Sequence, residues 1–149
     1  DHIALVSDAG TPGISDPGNK LIQRVYEALG EEVRIEPIPG ASALTAALSI
    51  AGIATDTFSF YGFLPHKKGR VTILKQIAES KVVSIFFESP HRVLKTLTAL
   101  EVLLDKTREV IVLRELTKKF ETIYRGSIND VTKRVAKQVK GEFVIIIGV

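Results

Sequence analysis

The chain has 149 residues, of which 45% are hydrophobic, and it carries a net charge of +3 and no cysteine. A chain of this length buries about two thirds of its surface on folding, which suits one domain or two small ones. The absence of cysteine excludes disulfides, thiolate metal sites and cysteine nucleophiles, and we expect no bound metal. Since no apolar run approaches about 18 residues, we predict a soluble, cytoplasmic protein without a membrane-spanning helix.

Charge is divided unevenly along the chain. Residues 1–60 hold eight acidic and three basic residues, a net charge of −5, whereas residues 61–149 hold nine acidic and 17 basic residues, a net charge of +8. A basic half is typical of a surface that binds a polyanion such as RNA, because neutralised phosphates release counterions. An ordinary solvated lysine surface explains the same charges, and the charge alone leaves both interpretations open.

The first predicted element is a buried strand over residues 3–7, followed by a loop rich in glycine and proline over residues 7–18. Glycine lets the backbone approach a ligand closely and proline fixes the direction of the chain, so unpaired amides in such a loop can hold a ligand. A tight structural turn is the alternative interpretation. We predict that Asp16 caps the following helix, with Pro17 in its first position.

The next elements continue an alternation of helix and strand. Helical spacing predicts a helix over 21–29, alternating residues predict a strand over 33–38, and small residues predict a helix over 41–51. A β-α-β-α series implies parallel strands joined by right-handed crossovers. We therefore predict an α/β fold whose first domain ends near residue 54.

The second half continues with more strands than helices. The predicted strands are 58–63, 82–87, 110–113, 121–125 and 142–148, and the predicted helices lie near 68–79, 90–104 and 128–139. Ser89 before Pro90 marks one helix start, and Ser127 with Asp130 resembles a capping box at another. The close spacing of the last three strands indicates antiparallel pairing, so the sheet is predicted to be mixed.

Polar residues follow two of these predicted strands. Behind the strand 82–87, Glu88 could accept a hydrogen bond from a ligand, His91 could move a proton near neutral pH and Arg92 could hold a phosphate. A helix cap with a solvated first turn is the alternative, and it is the simpler interpretation of these residues alone. The segment 114–119, considered alone, is no more than an exposed charge run.

Five ordered motifs, taken together, resemble the small-subunit ribosomal RNA cytidine 2′-O-methyltransferase family within the tetrapyrrole methylase superfamily. The motifs are SDAGTPGISDPG at 7–18, PGASA at 39–43, GFLPHKKGR at 62–70, ESPHR at 88–92 and RELTK at 114–118. The resemblance covers nearly the whole chain. The sequence departs from the family pattern at Ala41, where proline is expected, and at Phe87, where a tyrosine hydroxyl is lost.

The resemblance implies an S-adenosylmethionine-dependent enzyme of two α/β domains that binds the cofactor between them. The family's opening strand and cofactor loop would precede Asp1, so we expect a fragment: residues 1–54 are the later part of the amino-terminal domain, and 55–149 are the carboxyl-terminal domain. The residues implied in cofactor binding are Asp8, Ala9, Gly10, Thr11, Pro12, Ser42, Arg114 and Glu115. The resemblance also implies a homodimer.

The activity implied by the resemblance is methyl transfer to a ribose hydroxyl of ribosomal RNA, either free or in the small ribosomal subunit. Glu88 or His91 is the expected general base. The residues expected to contact RNA are Lys67, Lys68, Arg70 and Arg92. Two other functions remain open, namely a tetrapyrrole methyltransferase that acts on a small molecule and an RNA-binding module or fragment without catalytic activity.

Overall fold

The computed structural model describes residues 2–149, and the chain divides into two compact units, Asp1–Ala43 and Leu44–Val149. The domain boundary near residue 54 stays a prediction. The elements are α1 (Asn19–Leu29), a 3₁₀ turn (Gly30–Glu32), α2 (Ala43–Ser49), β1 (Phe58–Phe63), α3 (Arg70–Glu79), β2 (Val83–Glu88), α4 (Val93–Leu103), β3 (Val110–Arg114), β4 (Thr122–Gly126), α5 (Ile128–Val135) and β5 (Phe143–Ile147). Within residues 2–149, no helix has the length and apolar character needed to cross a bilayer.

The first unit contains α1 but no strand among its described residues. The paired strands predicted at 3–7 and 33–38 are therefore wrong for the part of the chain that the structure describes. Val33 does have an extended backbone, with φ −106° and ψ 134°. A strand, however, is defined by hydrogen bonds to a partner, and an alternating sequence predicts an extended backbone without supplying that partner.

Helix α1 begins later than its sequence predicts. The prediction of Asp16 as the N-cap, with Pro17 in the first position, is wrong, because Gly18 stands at the N-cap with φ 146°. This conformation is far from helical, so a helix cannot run from Pro17 through Gly18. The Gly18 carbonyl instead accepts the first helical bonds, from the amides of Leu21 and Ile22.

The second unit is built on one mixed sheet, which confirms the predicted fold class. The strand order is β1-β2-β5-β3-β4, with β1 and β2 parallel and the other neighbours antiparallel. Helix α3 connects the parallel pair, and β3 and β4 form a hairpin. The predicted strands and helices of this unit are all present, with slightly different ends.

Two apolar clusters cover the two faces of this sheet, because successive side chains of a strand point to opposite sides. On one face Phe86 and Ile145 pack with helices α3, α4 and α5. On the other face Ile85 and Ile146 pack with Ala47 of α2. Full burial of such side chains contributes about 1.5–3 kcal/mol each, so the sheet between two apolar layers forms a stable platform for its loops.

The strand registers bring several chain segments to one edge of the sheet. Glu88 at the end of β2 and Arg114 at the end of β3 both lie opposite Phe143 at the start of β5. The segments that leave the sheet here, which we call the loop edge, are 64–69, 89–92, 115–121 and 140–142. Two polar residues that are distant in sequence thus stand one strand apart on either side of Phe143.

The two predicted helix starts in this unit have different outcomes. Ser127 is the N-cap of α5 and accepts a hydrogen bond from the amide of Asp130, as predicted, while its hydroxyl donates to the Asp130 carboxylate at 2.7 Å. The prediction for Ser89 is wrong, because α4 begins at Val93 with Arg92 as its N-cap. The Ser89 hydroxyl instead accepts a hydrogen bond from the Arg92 guanidinium.

We predict that the two units differ strongly in local stability. No side chain among residues 2–42 is fully buried, whereas β3 and β5 are buried at every position. Segments with few buried contacts open locally, and core strands open only with global unfolding. In hydrogen exchange, amides of α1 should exchange more than about a hundredfold faster than those of β5, a difference of about 2.8 kcal/mol. Equal protection of the two elements would contradict this prediction.

Candidate functional site

A buried carboxylate organises one half of the loop edge. Glu88 is only 1% exposed. Its Oε1 accepts hydrogen bonds from the Thr96 hydroxyl at 2.7 Å and from the Arg70 guanidinium at 3.3 Å. Its Oε2 accepts a hydrogen bond from the Ser89 amide at 2.8 Å and forms an ion pair with Nε of Arg92 at 3.0 Å. Two cations therefore neutralise this buried acid, and both of its oxygens are fully engaged within the protein.

The same two arginines also hold the segment that follows β1. Arg92 donates to the Leu64 carbonyl at 2.8 Å, and Arg70 donates to the Pro65 carbonyl at 3.2 Å. The next residues, His66, Lys67 and Lys68, are exposed. Of the residues predicted to bind RNA, the two lysines thus lie on the surface, while Arg70 and Arg92 turn their guanidinium groups toward protein acceptors.

The two predicted general bases have opposite environments. Glu88 is buried, whereas His91 is exposed in the turn over residues 90–92, between β2 and α4. A group that takes a proton from a substrate must be reachable by it. Of these two side chains, the exposed His91 imidazole is the one that a substrate can reach.

A second buried arginine organises the other half of the loop edge. Arg114 is 4% exposed, and its guanidinium donates to the carbonyls of Lys140 and, at 2.9 Å, Phe120. These carbonyls belong to the segments 140–142 and 115–121. Arg114 therefore joins two loops that approach the sheet edge from different strands.

The carboxylate of Glu115 also links the segments 115–121 and 140–142. Its Oε1 accepts a hydrogen bond from the amide of Glu142 at 2.9 Å, and this bond, with Lys118 nearby, lowers the pKa of Glu115 below its ordinary value. The Glu142 carboxylate, 2.9 Å from the Lys118 ammonium, raises the pKa of Lys118. A Cβ at Gly141 would lie 2.6 Å from the Glu115 side chain, which would have to move, and the backbone there has φ 109°, so the position favours glycine.

Backbone strain marks the same loop. Glu115 has φ 52° and Thr117 has φ 64°, and Ser15 is the one other described residue besides glycine with a positive φ. Such conformations persist only where surrounding interactions hold them, and they concentrate at functional sites. Here the anchor of Glu115 is its bond to Glu142, and the amide of Thr117 donates to the Glu121 carboxylate at 2.6 Å.

In the first unit, the structure joins two of the predicted cofactor segments. The Thr11 hydroxyl donates to the carbonyl of Ala41 at 3.4 Å, which brings the loop next to Ser42. Gly10 adopts φ 76°, a conformation that favours glycine. The predicted residues Asp8, Ala9, Gly10, Thr11 and Pro12 are all at least partly exposed, and Asp8 lines a shallow pocket with Leu5, Val6, Ser7, Asp16 and Pro17.

The structure also identifies residues that the sequence did not single out. Thr96, which bonds Glu88, is fully buried in an otherwise apolar face of α4 that includes Val93, Leu97 and Leu100. A threonine in such a face is the signal that could have revealed the network. Among residues 2–149, no group of three or more histidine, aspartate and glutamate residues could hold a metal ion.

The chain is similar in sequence to two curated proteins that carry the same name. The chain is 46% identical to Ribosomal RNA small subunit methyltransferase I of Synechocystis sp. over 149 residues, and the alignment covers 99% of the chain and 52% of that protein. Its identity to the protein of the same name from Pasteurella multocida is 45%, over 98% of the chain and 52% of the relative. The chain thus spans about half the length of these curated relatives.

Solved structures show the same fold at low sequence identity. The crystal structure of the methyltransferase CobJ matches with a TM-score of 0.67 and 19% identity, over 93% of this chain and 61% of that one. Uroporphyrin-III C-methyl transferase from Thermus thermophilus, complexed with S-adenyl homocysteine, matches with a TM-score of 0.63 and 17% identity, over 93% and 62% of the two chains. The family model described as Tetrapyrrole (Corrin/Porphyrin) Methylases matches residues 1–132, and the chain belongs to this family.

Proposed function

We propose that this chain is part of an S-adenosylmethionine-dependent methyltransferase that modifies a ribose 2′-hydroxyl of a cytidine in small-subunit ribosomal RNA. The observation that carries the proposal is the identity of 46% and 45%, over nearly the whole chain, to two proteins named Ribosomal RNA small subunit methyltransferase I. The protein would act in the cytoplasm, where ribosomal RNA is modified, and as a homodimer.

The chemistry of the loop at 7–18 fits the proposed cofactor. Asp8 is exposed, and Gly10 has a conformation that lets the backbone come close to a ligand. When bound, S-adenosylmethionine supplies a methyl group attached to a positively charged sulfur. An oxygen nucleophile can attack this methyl carbon, and the sulfur leaves with the electrons of the broken bond. The Asp8 carboxylate would favour a cationic ligand, the backbone of Ala9 to Pro12 would contact it, and Ser42 would lie beside them.

Lysines on the loop edge provide the proposed contacts to RNA. Lys67 and Lys68 are exposed and follow a segment that Arg70 and Arg92 hold in place. A lysine ammonium on a fixed segment can neutralise a phosphate without choosing among sequences. Arg70 and Arg92 would serve RNA binding by positioning these lysines, and Arg114 and Glu115 would serve the site by fixing the loop over 115–121.

Positioning and proton removal are the two contributions that the protein would make to the reaction. Correct alignment of reacting groups can supply about 7–11 kcal/mol. A general base that takes the proton of the ribose hydroxyl adds roughly a hundredfold or more. We assign this role to His91, because the oxygens of Glu88 already accept hydrogen bonds from three residues of the protein and form an ion pair with Arg92.

A small-molecule substrate is the second candidate. The structural neighbours include a uroporphyrin-III methyltransferase, but their identity below 25% supports the fold alone. The exposed lysines at the loop edge favour the RNA substrate.

Replacing Asp8 should weaken cofactor binding. Loss of a hydrogen bond to a charged group costs about 1.5–3 kcal/mol, so Asp8→Ala should bind S-adenosylmethionine roughly 10- to 150-fold more weakly in a calorimetric titration. Asp56→Ala, which removes an exposed aspartate of the second unit, is the matched control and should bind normally. If neither the chain nor a version lengthened to the span of its relatives binds S-adenosylmethionine, the cofactor assignment is wrong.

Substitutions of His91 and Glu88 should separate catalysis from structure. His91→Ala should leave the free energy of unfolding within about 0.5 kcal/mol, because the residue is exposed. It should lower the single-turnover rate of methyl transfer to small-subunit RNA, measured in the lengthened protein, by roughly a hundredfold. Glu88→Gln should destabilise the chain by about 3–5 kcal/mol in urea unfolding, because it leaves two partly buried guanidinium groups without a counter-ion.

The control for Glu88→Gln is Glu101→Gln, which removes an exposed carboxylate from α4 and should change neither property. An unchanged rate in His91→Ala would refute its assignment as the base. A Glu88→Gln protein that is fully stable but inactive would transfer that assignment to Glu88.

A further inference from the structure

Two phenylalanine side chains are unusually exposed. Phe63 is 56% exposed and Phe120 is 61% exposed, while Phe58, the next most exposed phenylalanine, is 38% exposed. Phenylalanine side chains are normally among the most buried in a protein, so two rings exposed at one edge of a sheet are candidates for contact with a ligand.

Phe120 belongs to the loop edge, and Phe63 directly precedes its first segment. Phe63 is the last residue of β1, and Phe120 lies two residues before β4. Strands β1 and β4 are the two outer strands of the sheet, and four strand spacings separate them. At about 4.8 Å per spacing, these two outer strands lie about 19 Å apart at this edge.

Lysines accompany each phenylalanine. Lys67 and Lys68 follow Phe63 and are exposed. The Lys119 ammonium lies 5.6 Å from the centre of the Phe120 ring. Lys118 is paired with two carboxylates, those of Glu115 and Glu142, and its charge is largely neutralised. Lys67, Lys68 and Lys119 therefore remain as cations for a ligand beside the two exposed rings.

Each aromatic residue is held by its neighbours. The Phe63 ring packs edge-on against Phe87, with centroids 5.6 Å apart, and Phe87 in turn packs against Phe60 at 5.1 Å. The carbonyl of Phe120 accepts a hydrogen bond from the buried Arg114 at 2.9 Å. An exposed ring on a backbone or side-chain neighbour that holds it in place loses little entropy when a flat group stacks on it, so both positions suit stacking.

We propose that Phe63 and Phe120 are stacking platforms for unpaired bases of a single-stranded RNA segment that lies along the loop edge. Lys67, Lys68 and Lys119 contact its phosphates. This inference rests on the proposed RNA substrate and adds the form in which that substrate is bound. Paired bases in a duplex hide their faces, whereas unpaired bases stack on aromatic side chains regardless of sequence. The protein therefore binds the substrate segment only after it is unpaired.

The test measures the binding of the 149-residue chain to fluorescently labelled RNA by anisotropy. The probes are a single-stranded oligonucleotide of roughly ten nucleotides, an abasic oligonucleotide of equal charge, and a duplex. Loss of one base stack by alanine substitution costs about 1–3 kcal/mol. Phe63→Ala and Phe120→Ala should each weaken single-strand binding roughly 5- to 150-fold, and leave the affinity for the abasic probe unchanged.

Three controls define the result. Phe58→Ala removes a partly exposed phenylalanine at the other end of β1 and should bind like the unmodified chain. Phe63→Leu keeps an apolar contact with Phe87 but provides no aromatic face, so it should bind as weakly as Phe63→Ala. Replacing Lys67 and Lys68 with glutamine should weaken binding to the single-stranded and abasic probes alike.

Several outcomes would overturn the inference, and they are distinct from failure of the RNA substrate itself. Lysine-dependent binding that is insensitive to both phenylalanine substitutions would refute the stacking platforms and leave the RNA substrate standing. Phenylalanine substitutions that change the sedimentation of the chain, without changing RNA affinity, would assign these rings to contact with a second copy. If the unmodified chain binds no RNA probe, both the platforms and the proposed substrate are wrong.

Discussion

The buried carboxylate of Glu88 is the interaction on which one half of the loop edge depends. A carboxylate that is 1% exposed is stable only with counter-ions and hydrogen-bond donors around it. Arg70 and Arg92 supply the charge, Thr96 and the Ser89 amide supply further donors, and the guanidinium groups have donors to spare. Those spare donors bond the carbonyls of residues 64 and 65. Neutralising one buried acid thus fixes the backbone that leads to the exposed lysines.

Arg114, two strands away from Glu88, also fixes the backbone of loops at this edge. Its guanidinium bonds carbonyls of two loops, and the sheet register sets it opposite the same Phe143 that faces Glu88. Arginine suits both places because its planar group offers five donors with fixed directions, whereas lysine offers a single point of charge. The sheet fixes the spacing of the two anchors, and the anchors fix the loops. A rigid core therefore positions surface residues that would otherwise be mobile.

A strand of this chain was predicted correctly where its pairing partners lie among the described residues. The strands at 58–63 and 110–113 were predicted correctly because the second unit contains every strand they pair with. The segments 3–7 and 33–38 have the same kind of sequence but no partner among the described residues. A hydrophobic pattern specifies which side chains seek burial. It does not specify what covers them, and in this chain that distinction separates the confirmed strands from the wrong ones.

The charged residues of the candidate site show the same limit of sequence-based prediction. Glu88, Arg92 and Arg114 have the sequence of a solvated helix start and a charge run, yet all three engage protein groups at the sheet edge. A sequence gives the charge of a residue but not its depth, and buried charges are stable only through partners that are distant in the chain.

This difference changes what the basic second half can do. All six arginines in residues 61–149 contact protein carbonyls or carboxylates, and four of them are buried or half-buried, namely Arg70, Arg92, Arg108 and Arg114. The net charge of +8 in this half therefore overstates the charge that a polyanion meets. Arg70, Arg92 and Arg114 hold the loops of the loop edge, and the exposed lysines there are the cations that we propose as phosphate contacts. Because lysine contacts carry no directional preference for a base, any preference for the form of the proposed RNA substrate would come from neighbouring groups, and at this edge we assign it to the two exposed rings.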